Sequence, residues 1–217
     1  MADALETIES EGKRILELGR EDIARPVPQY PGWTMGGLLA HTGSVLGRTS
    51  LICRDLLMER PRSPRPDEDD DVADWFEERL DELLSVLSQC DTRAPVWGLV
   101  PEPTVGGWIN RMVIEVGVHR WDAEQAFTEP APLLDDVAEA GLDEFGTMWL
   151  PRLGELDALA LTATDLGRHW HYGDGEPASH VEAPASEIYL RLMRRPSTVV
   201  LPDDWAVRVD SLEPPPR

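Results

Sequence analysis

Apolar residues recur at intervals of three and four residues through most of the first 150 positions of this chain. This spacing predicts amphipathic helices, because it places the apolar side chains along one face of each helix. Proline-rich segments separate the helical stretches, and proline interrupts the helical hydrogen-bond ladder. Five or so modest helices joined by loops are typical of a helical bundle. The predicted helices cover residues 3–24, 34–58, 67–90, 107–128 and 134–149.

The pattern changes after Pro151, where large and small residues alternate as they do in half-buried strands. A mixture of short strands with one helix predicts a small α+β domain that follows the bundle. We therefore expect a mainly α protein with a bundle over residues 1–150 and an α+β domain over residues 151–217. Within the second domain, strands are predicted at 159–165, around Trp170, at 197–201 and at 205–209, and a helix at 185–195.

Charge and composition exclude several classes of partner. The chain has 41 acidic and 20 basic residues and a formal net charge of -21, which disfavours binding to nucleic acid or to anionic membranes. It has no apolar run long enough to span a bilayer and no secretory signal at its N-terminus. Two cysteines, Cys53 and Cys90, are too few for a disulfide framework. We expect a cytoplasmic protein with free thiols.

Glu115 and His119 are four residues apart on the fourth predicted helix, so they share a face and lie one turn apart. His41 lies on the second predicted helix. Two imidazoles and one carboxylate can hold a divalent metal and leave a coordination position open. Burying Glu115 requires a compensating cation, and Arg111 or Arg120 supplies an alternative to a metal. The spacing alone supports a metal site and a structural ion pair equally.

Two segments resemble signatures of a known family. Residues 31–41 (PGWTMGGLLAH) resemble the "PGW(T/S)…LxxH" motif of the mycothiol-dependent maleylpyruvate isomerase family, within the DinB-like helical bundle superfamily. Residues 115–123 (EVGVHRWDA) resemble its second motif, "ExxxHrwDA". The tail, at 161–170 and 186–195, is similar to the family's small C-terminal domain, whose fold is like that of sterol-carrier proteins. The resemblance implies a DinB-like four-helix bundle that carries this tail.

The resemblance also implies a metal centre and a reaction. The ligands would be His41, Glu115 and His119, and the metal a divalent ion, usually zinc. The co-substrate would be mycothiol, a thiol of actinobacteria, whose sulfur the metal activates for isomerisation of maleylpyruvate or for transfer to another electrophilic small molecule. The predicted partners are thus a thiol and an electrophile, and the protein a monomer or homodimer. The alternative is a non-catalytic metal-binding or ligand-binding protein.

Several further side chains are candidates for a role at this site. Asp122 either orients the His119 ring or forms a surface ion pair. Arg48 and Arg111 are candidates for binding an anionic substrate or cofactor, although each is interpreted first as a solvated surface arginine. Trp33 and Trp121 are interpreted as packing residues.

The tail departs from the family pattern at Arg194, which replaces a glycine before Arg195. The resemblance implies that a tail arginine binds the substrate carboxylate, and the departure weakens that assignment for Arg195. The Gly36–Gly37 pair also replaces the acidic or polar residues that usually follow the PGWT turn. A separate pair, His169 and His171, is interpreted as the exposed face of a strand and not as a second metal site.

Overall fold

A computed structural model describes residues 2–68, 70–99 and 103–212 of the chain. The contacts divide the chain into two compact units, Met1–Leu133 and Leu134–Arg217. The first is helical, and the second combines helices with a three-stranded sheet. The predicted class, a mainly α fold with a small α+β part, is confirmed. No helix in the described part of the chain is long and apolar enough to cross a membrane.

The first unit is a four-helix bundle. Helices α1 and α2 each pack against both α3 and α4, so the apolar faces of the four helices enclose one core. The four helices predicted from periodicity are present, and their observed ends differ from the predicted ends by a few residues. Their bounds are Ala2–Glu21 (α1), Met35–Arg54 (α2), Val72–Leu87 (α3) and Val105–Gln125 (α4).

Helices α2 and α4 begin in the same way. The hydroxyl of Thr34 accepts a hydrogen bond from the Gly37 backbone N–H at 3.3 Å, and that of Thr104 accepts one from Gly107 at 3.2 Å. A threonine at this position satisfies an N–H group that has no partner within the helix. Thr34, the first residue of the helix predicted over 34–58, is therefore the cap of α2. These caps fix the starts of the two helices that carry the candidate ligands.

The third helix is predicted to begin with the acidic run at residues 67–71, but the observed helix begins after this run. Helix α3 begins at Val72, and the Asp71 carboxylate accepts hydrogen bonds from the backbone N–H groups of Ala73 and Asp74. One carboxylate of the run thus caps the helix, where the N-terminal peptide dipoles favour negative charge. Asp69, within this run, lies outside the described residues.

Helix α4 is the central helix of the bundle, and its side chains are buried from Met112 through Glu124 without interruption. A surface helix buries one stripe only, so a helix that is buried all round must place its polar residues in the core. The charged residues of this segment therefore have to be satisfied by other protein groups or by a bound cation.

Over residues 134–212, the second unit has three α-helices and a small sheet. In the sheet, β1 (Leu159–Ala163) is central; β2 (Arg168–Tyr172) pairs with it antiparallel and β3 (Ser179–Ala183) pairs with it parallel. The buried side chains of β1 alternate with half-buried ones, as the sequence predicted. The helices are α5 (Asp135–Glu144), which continues into a π-helical turn, α6 (Ala185–Leu192) and α7 (Asp203–Asp210).

The observed division at Leu133 differs from the predicted boundary at residue 150. Helix α5 was expected to belong to the bundle, but it packs against α6 of the second unit. Gly141 of α5 permits the contact: a Cβ atom there would lie 2.4 Å from the ring of Tyr189. The periodicity of α5 predicts the helix correctly but does not specify which core receives its apolar face.

Two predictions for the tail were wrong. Residues 205–209 form part of α7, not a strand; only Trp205 and Val209, four residues apart, are buried. Pro202 at the N-cap position and acidic residues in the first turn favour this helix, although its apolar residues also alternate. Residues 197–201 form no strand, and the third strand of the sheet is instead Ser179–Ala183.

Candidate metal centre

Packing of α2 against α4 brings His41, Glu115 and His119 together. The Nε2 atom of His41 lies 3.5 Å from Glu115 Oε1, and the Nε2 atom of His119 lies 3.3 Å from the same oxygen. The three donor atoms lie within 4.8 Å of one another. Within residues 2–68, 70–99 and 103–212, no other group of three histidine, cysteine or carboxylate side chains meets this distance.

Burial differs among the three side chains. Glu115 and His119 are almost fully buried, whereas 31% of the His41 side chain is exposed. The cluster is therefore enclosed on the α4 side and reaches solvent beside His41. This arrangement keeps the carboxylate in a medium of low dielectric constant and leaves His41 in contact with solvent.

Arg111 partly compensates the buried charge of Glu115. The guanidinium donates from Nη2 to Glu115 Oε2 at 2.5 Å, across one turn of α4. Burial alone would raise the pKa of Glu115, but Arg111, His119 and His41 outweigh burial and hold it well below its usual value. The carboxylate is therefore ionised, with one oxygen on Arg111 and the other facing the two imidazoles.

Asp122 orients the ring of His119. Its Oδ2 lies 3.1 Å from His119 Nδ1, and the Asp122 side chain is fully buried. Because a carboxylate only accepts, Nδ1 carries the proton, and Nε2 is the nitrogen directed at Glu115. Burial lowers the pKa of His119, but Asp122 and Glu115 outweigh burial and raise it to about 9. Of the two roles considered for Asp122, the orienting role matches the structure.

Aromatic rings cover one side of the cluster. The ring of Trp33 lies 5.2 Å from that of His41, and Tyr30 lies 6.0 Å from His119 while stacking on Trp33 at 4.8 Å. Trp33, interpreted as a packing residue, thus also contacts a candidate ligand. Trp121 is buried, in agreement with packing. Tyr30 was not singled out from the sequence, although it directly precedes the PGWT motif.

Arg120, the other arginine considered as a partner for Glu115, belongs to a different cluster. Its guanidinium donates to Glu11 of α1 and to Glu124 of α4, both at 2.9 Å. It also donates to the carbonyl oxygens of Ala131 and Pro132 at 2.8 Å. Glu115 therefore pairs with Arg111 and not with Arg120.

The protein's own thiols are poor nucleophiles. Cys53 is buried, and burial raises its pKa to about 12; burial also raises the pKa of Cys90. The Cys90 thiol donates to the Cys53 carbonyl oxygen at 3.5 Å. Since the thiolate is the reactive form, these residues contribute to packing and not to catalysis. Both thiols are free, as predicted.

The tail candidates lie in the second unit. Arg195 is buried and donates from Nη1 to the Met193 carbonyl oxygen at 2.9 Å. Arg194, the residue in place of the family's glycine, has φ of 61°, a left-handed conformation that glycine adopts at lower cost. The backbone at the end of α6 thus keeps the shape that a glycine would favour.

His169 and His171 are exposed on β2, as expected. His169 Nδ1 lies 2.9 Å from the Thr162 hydroxyl, and His180 Nε2 lies 2.8 Å from the same hydroxyl. His180 is on β3, a strand that the sequence analysis did not predict; the alternation of Ser179–Ala183 is the signal that would have located it.

Comparison with known proteins identifies the family of this chain. Residues 5–124 match the family model described as the mycothiol maleylpyruvate isomerase N-terminal domain. The chain belongs to this family. The match covers the four helices of the bundle and includes His41, Glu115 and His119.

Solved structures of this family share the fold over nearly the whole chain. The crystal structure of the mycothiol-dependent maleylpyruvate isomerase matches with a TM-score of 0.70 at 12% identity, covering 93% of this chain and 95% of that one. A histidine-to-alanine mutant of that isomerase matches with a TM-score of 0.66 at 11% identity, covering 87% of each chain. The search of curated proteins finds no match.

Proposed function

We propose that this member of the family is a divalent-metal-dependent enzyme that activates a low-molecular-weight thiol, mycothiol or a close analogue. The thiol would react with an electrophilic small molecule, by isomerisation of maleylpyruvate or by transfer to another acceptor. The observation that carries the proposal is the convergence of His41 Nε2, His119 Nε2 and Glu115 Oε1. Membership of a family described by mycothiol and maleylpyruvate supports the thiol and the electrophile.

The donor atoms fit a divalent metal, most often zinc. Two imidazole nitrogens and one carboxylate oxygen are zinc ligands, and catalytic zinc sites combine three protein ligands with an open position. Arg111 occupies Glu115 Oε2 and leaves Oε1 facing the imidazoles, so the Arg111 ion pair and a metal are compatible. Asp122 adds the hydrogen bond to Nδ1 that metal-binding histidines usually make.

A metal held there would lower the pKa of a bound thiol, so that thiolate forms at neutral pH. The protein's residues provide the surroundings of this step. His41 borders the side that is open to a thiol, and the ring of Trp33, on which Tyr30 stacks, lies against the ring of His41. Because the pKa of Cys53 is about 12, the attacking sulfur is expected to come from a small molecule and not from the protein.

The decisive experiment measures metal content and thiol-dependent turnover of the wild-type protein and of His41→Ala. We expect about one equivalent of divalent metal per chain in the wild type, loss of the metal in the variant, and loss of mycothiol-dependent maleylpyruvate isomerisation or thiol transfer. His171→Ala, at an exposed position of the second unit, is the matched control and should retain both.

Two results would contradict the proposal. Metal-free wild-type protein that cannot be loaded with zinc, nickel, manganese or iron would leave Glu115 in a structural ion pair with Arg111. Tight metal binding without any thiol affinity in calorimetry would favour the alternative of a non-catalytic metal-binding protein.

A further inference from the structure

Arg48 is a half-buried cation beside the candidate metal centre, on the same helix as His41. Seven residues separate the two, so they lie on one face of α2, two turns and about 10 Å apart along the axis. Nη1 of Arg48 donates to the Ser63 hydroxyl at 3.1 Å, while Nε is buried and has no hydrogen-bond partner among the described residues. Arg48 is therefore not the solvated surface arginine that the sequence suggested.

The surroundings of Arg48 contain more positive than negative charge. Burial lowers the pKa of Arg48, the charge of Arg60 lowers it further, Glu115 opposes these effects, and Arg111 adds to them. The charges of Arg60 and Arg111 thus act on Arg48 with a single opposing carboxylate, and a divalent metal at the centre would add two positive charges. This concentration is unusual in a chain with a formal net charge of -21.

The loop that follows α2 holds Arg60 and Ser63 in place. The Ser44 hydroxyl of α2 donates to the Pro64 carbonyl oxygen at 2.7 Å, and the Trp97 backbone N–H donates to the Leu57 carbonyl oxygen at 2.6 Å. The guanidinium of Arg60 lies 5.9 Å from the centre of the Trp97 ring, within reach of a cation–π interaction. The loop is thus attached to α2 at one point and to the loop before α4 at another.

We propose that Arg48, Arg60 and Arg111 form a subsite for a carboxylate group of the electrophile. Arginine suits this role because its planar donors match the two oxygens of a carboxylate. A carboxylate would neutralise the excess positive charge and supply a hydrogen-bond acceptor to the buried Nε of Arg48, whose Nη1 already donates to Ser63. Assigning the carboxylate to the electrophile depends on the proposed function, but the existence of an anion subsite does not.

The binding test measures succinate, an unreactive dicarboxylate, by calorimetry with both metal-free and metal-loaded protein. We expect Arg48→Gln to weaken succinate binding by about ten- to a hundredfold, as the loss of charge-assisted hydrogen bonds does. The matched control is Arg54→Gln, the same change on α2 at a half-exposed residue that pairs with Asp55 and Glu82; it should bind succinate as the wild type does. Succinamide, the neutral analogue, should bind to none of the proteins.

Equal succinate affinity of Arg48→Gln and the wild type would overturn the proposal, since binding would then reside on the metal alone. If Arg48→Gln does not fold, the test uses Arg60→Gln, at an exposed loop position. Weaker succinate binding by this variant supports the subsite, and unchanged succinate binding overturns it.

Turnover with maleylpyruvate and mycothiol tests the source of the carboxylate. We expect Arg48→Gln to raise KM for the electrophile and leave KM for the thiol unchanged. A rise confined to the thiol KM would overturn the assignment to the electrophile. Metal content and thiol affinity, measured on the same samples, test the proposed function separately. A wild-type protein that binds succinate through Arg48 but binds neither metal nor thiol would refute the proposed function and leave the subsite intact.

Discussion

Helix α4 carries two buried charge clusters that look alike in sequence. The metal-centre cluster contains Glu115 and His119, and the Arg120 cluster contains Arg120 and Glu124; each pair has a spacing of four. Each cluster also includes a residue from another helix, His41 in the first and Glu11 in the second. Burial is similar, since all four α4 residues are less than 10% exposed.

The two clusters differ in which atoms face one another. In the Arg120 cluster, guanidinium donors meet two carboxylates and two carbonyl oxygens, and Glu124 also accepts from the Ala131 N–H at 3.0 Å. In the metal-centre cluster, two imidazole Nε2 atoms meet one carboxylate oxygen, Glu115 Oε1. These three atoms are all acceptors unless a proton or a metal lies between them. A buried charge cluster is thus structural when its donors and acceptors match, and a candidate for cation binding when acceptors converge.

Arg120→Met should have the largest effect on stability and none on metal binding. It would leave Glu11 and Glu124 buried without their guanidinium partner, and removing one member of a buried ion pair costs about 3–5 kcal/mol in the free energy of unfolding. Urea denaturation measures the loss, and elemental analysis checks that the metal content is unchanged.

Arg14→Met is the matched control for this variant, because Arg14 pairs with the same Glu124 from a side chain that is 43% exposed. It should cost less than about 1 kcal/mol, as exposed ion pairs do. If Arg120→Met also removes the metal, the two clusters depend on each other, and the distinction between a structural cluster and a cation-binding cluster is wrong.

The pH dependence of the metal-free protein should come from the metal-centre cluster. The pKa of His119 is raised to about 9 in the folded protein, from an ordinary value of 6.5. Its stabilising contribution is complete below pH 6.5 and is lost as the pH rises to about 9, at most about 3 kcal/mol.

Urea denaturation of chelator-treated protein at pH 6, 7.5 and 9 tests this expectation, with His119→Gln as the control that removes the titrating group. The wild type should lose stability across the range and the variant much less. Metal-loaded wild type should lack this pH dependence, because a ligated imidazole has no proton to lose at Nε2. A flat profile for the metal-free wild type would contradict the assignment of a proton between His119 and Glu115.

The sequence predicts the helices of the bundle well and places Glu115 and His119 on one helix face, because both features depend on local periodicity. The approach of His41 depends instead on the packing of α2 against α4. Helix spacing locates α1 to α4, and a spacing of four puts Glu115 and His119 on one face whatever the tertiary structure. The pairing of Glu115 with Arg111, and of Arg120 with Glu11, could not be predicted, since it depends on how α1, α2 and α4 pack.

Features that depend on loops or on competing local signals were harder to predict. Arg60 and Ser63 approach Arg48 through an irregular loop, and no periodicity encodes its path. Residues 205–209 alternate like a strand, but the preceding Pro202 and acidic first turn produce a helix. The sequence also could not indicate that α5 packs with the second unit, because its apolar face fits either core.

Asp122→Asn should have a smaller effect than Arg120→Met or the rise in pH. It gives the most specific test of the difference between the metal-centre cluster and the Arg120 cluster. The variant keeps the size of the side chain but removes the charge that holds the proton on His119 Nδ1. Changes at such hydrogen-bond partners lower metal affinity by about ten- to a hundredfold. Competition with a chromogenic chelator measures the affinity, and circular dichroism checks the fold.

The matched variant is Glu124→Gln, a carboxylate-to-amide change on the same helix, in the Arg120 cluster. It should lower the free energy of unfolding, because it weakens the pair with Arg120, and leave metal affinity unchanged. The two variants therefore have opposite profiles: Asp122→Asn acts on the metal and Glu124→Gln on stability. Equal loss of metal affinity in Asp122→Asn and Glu124→Gln would show that metal affinity depends on the total charge around α4. The orientation of one imidazole by Asp122 would then not explain the site.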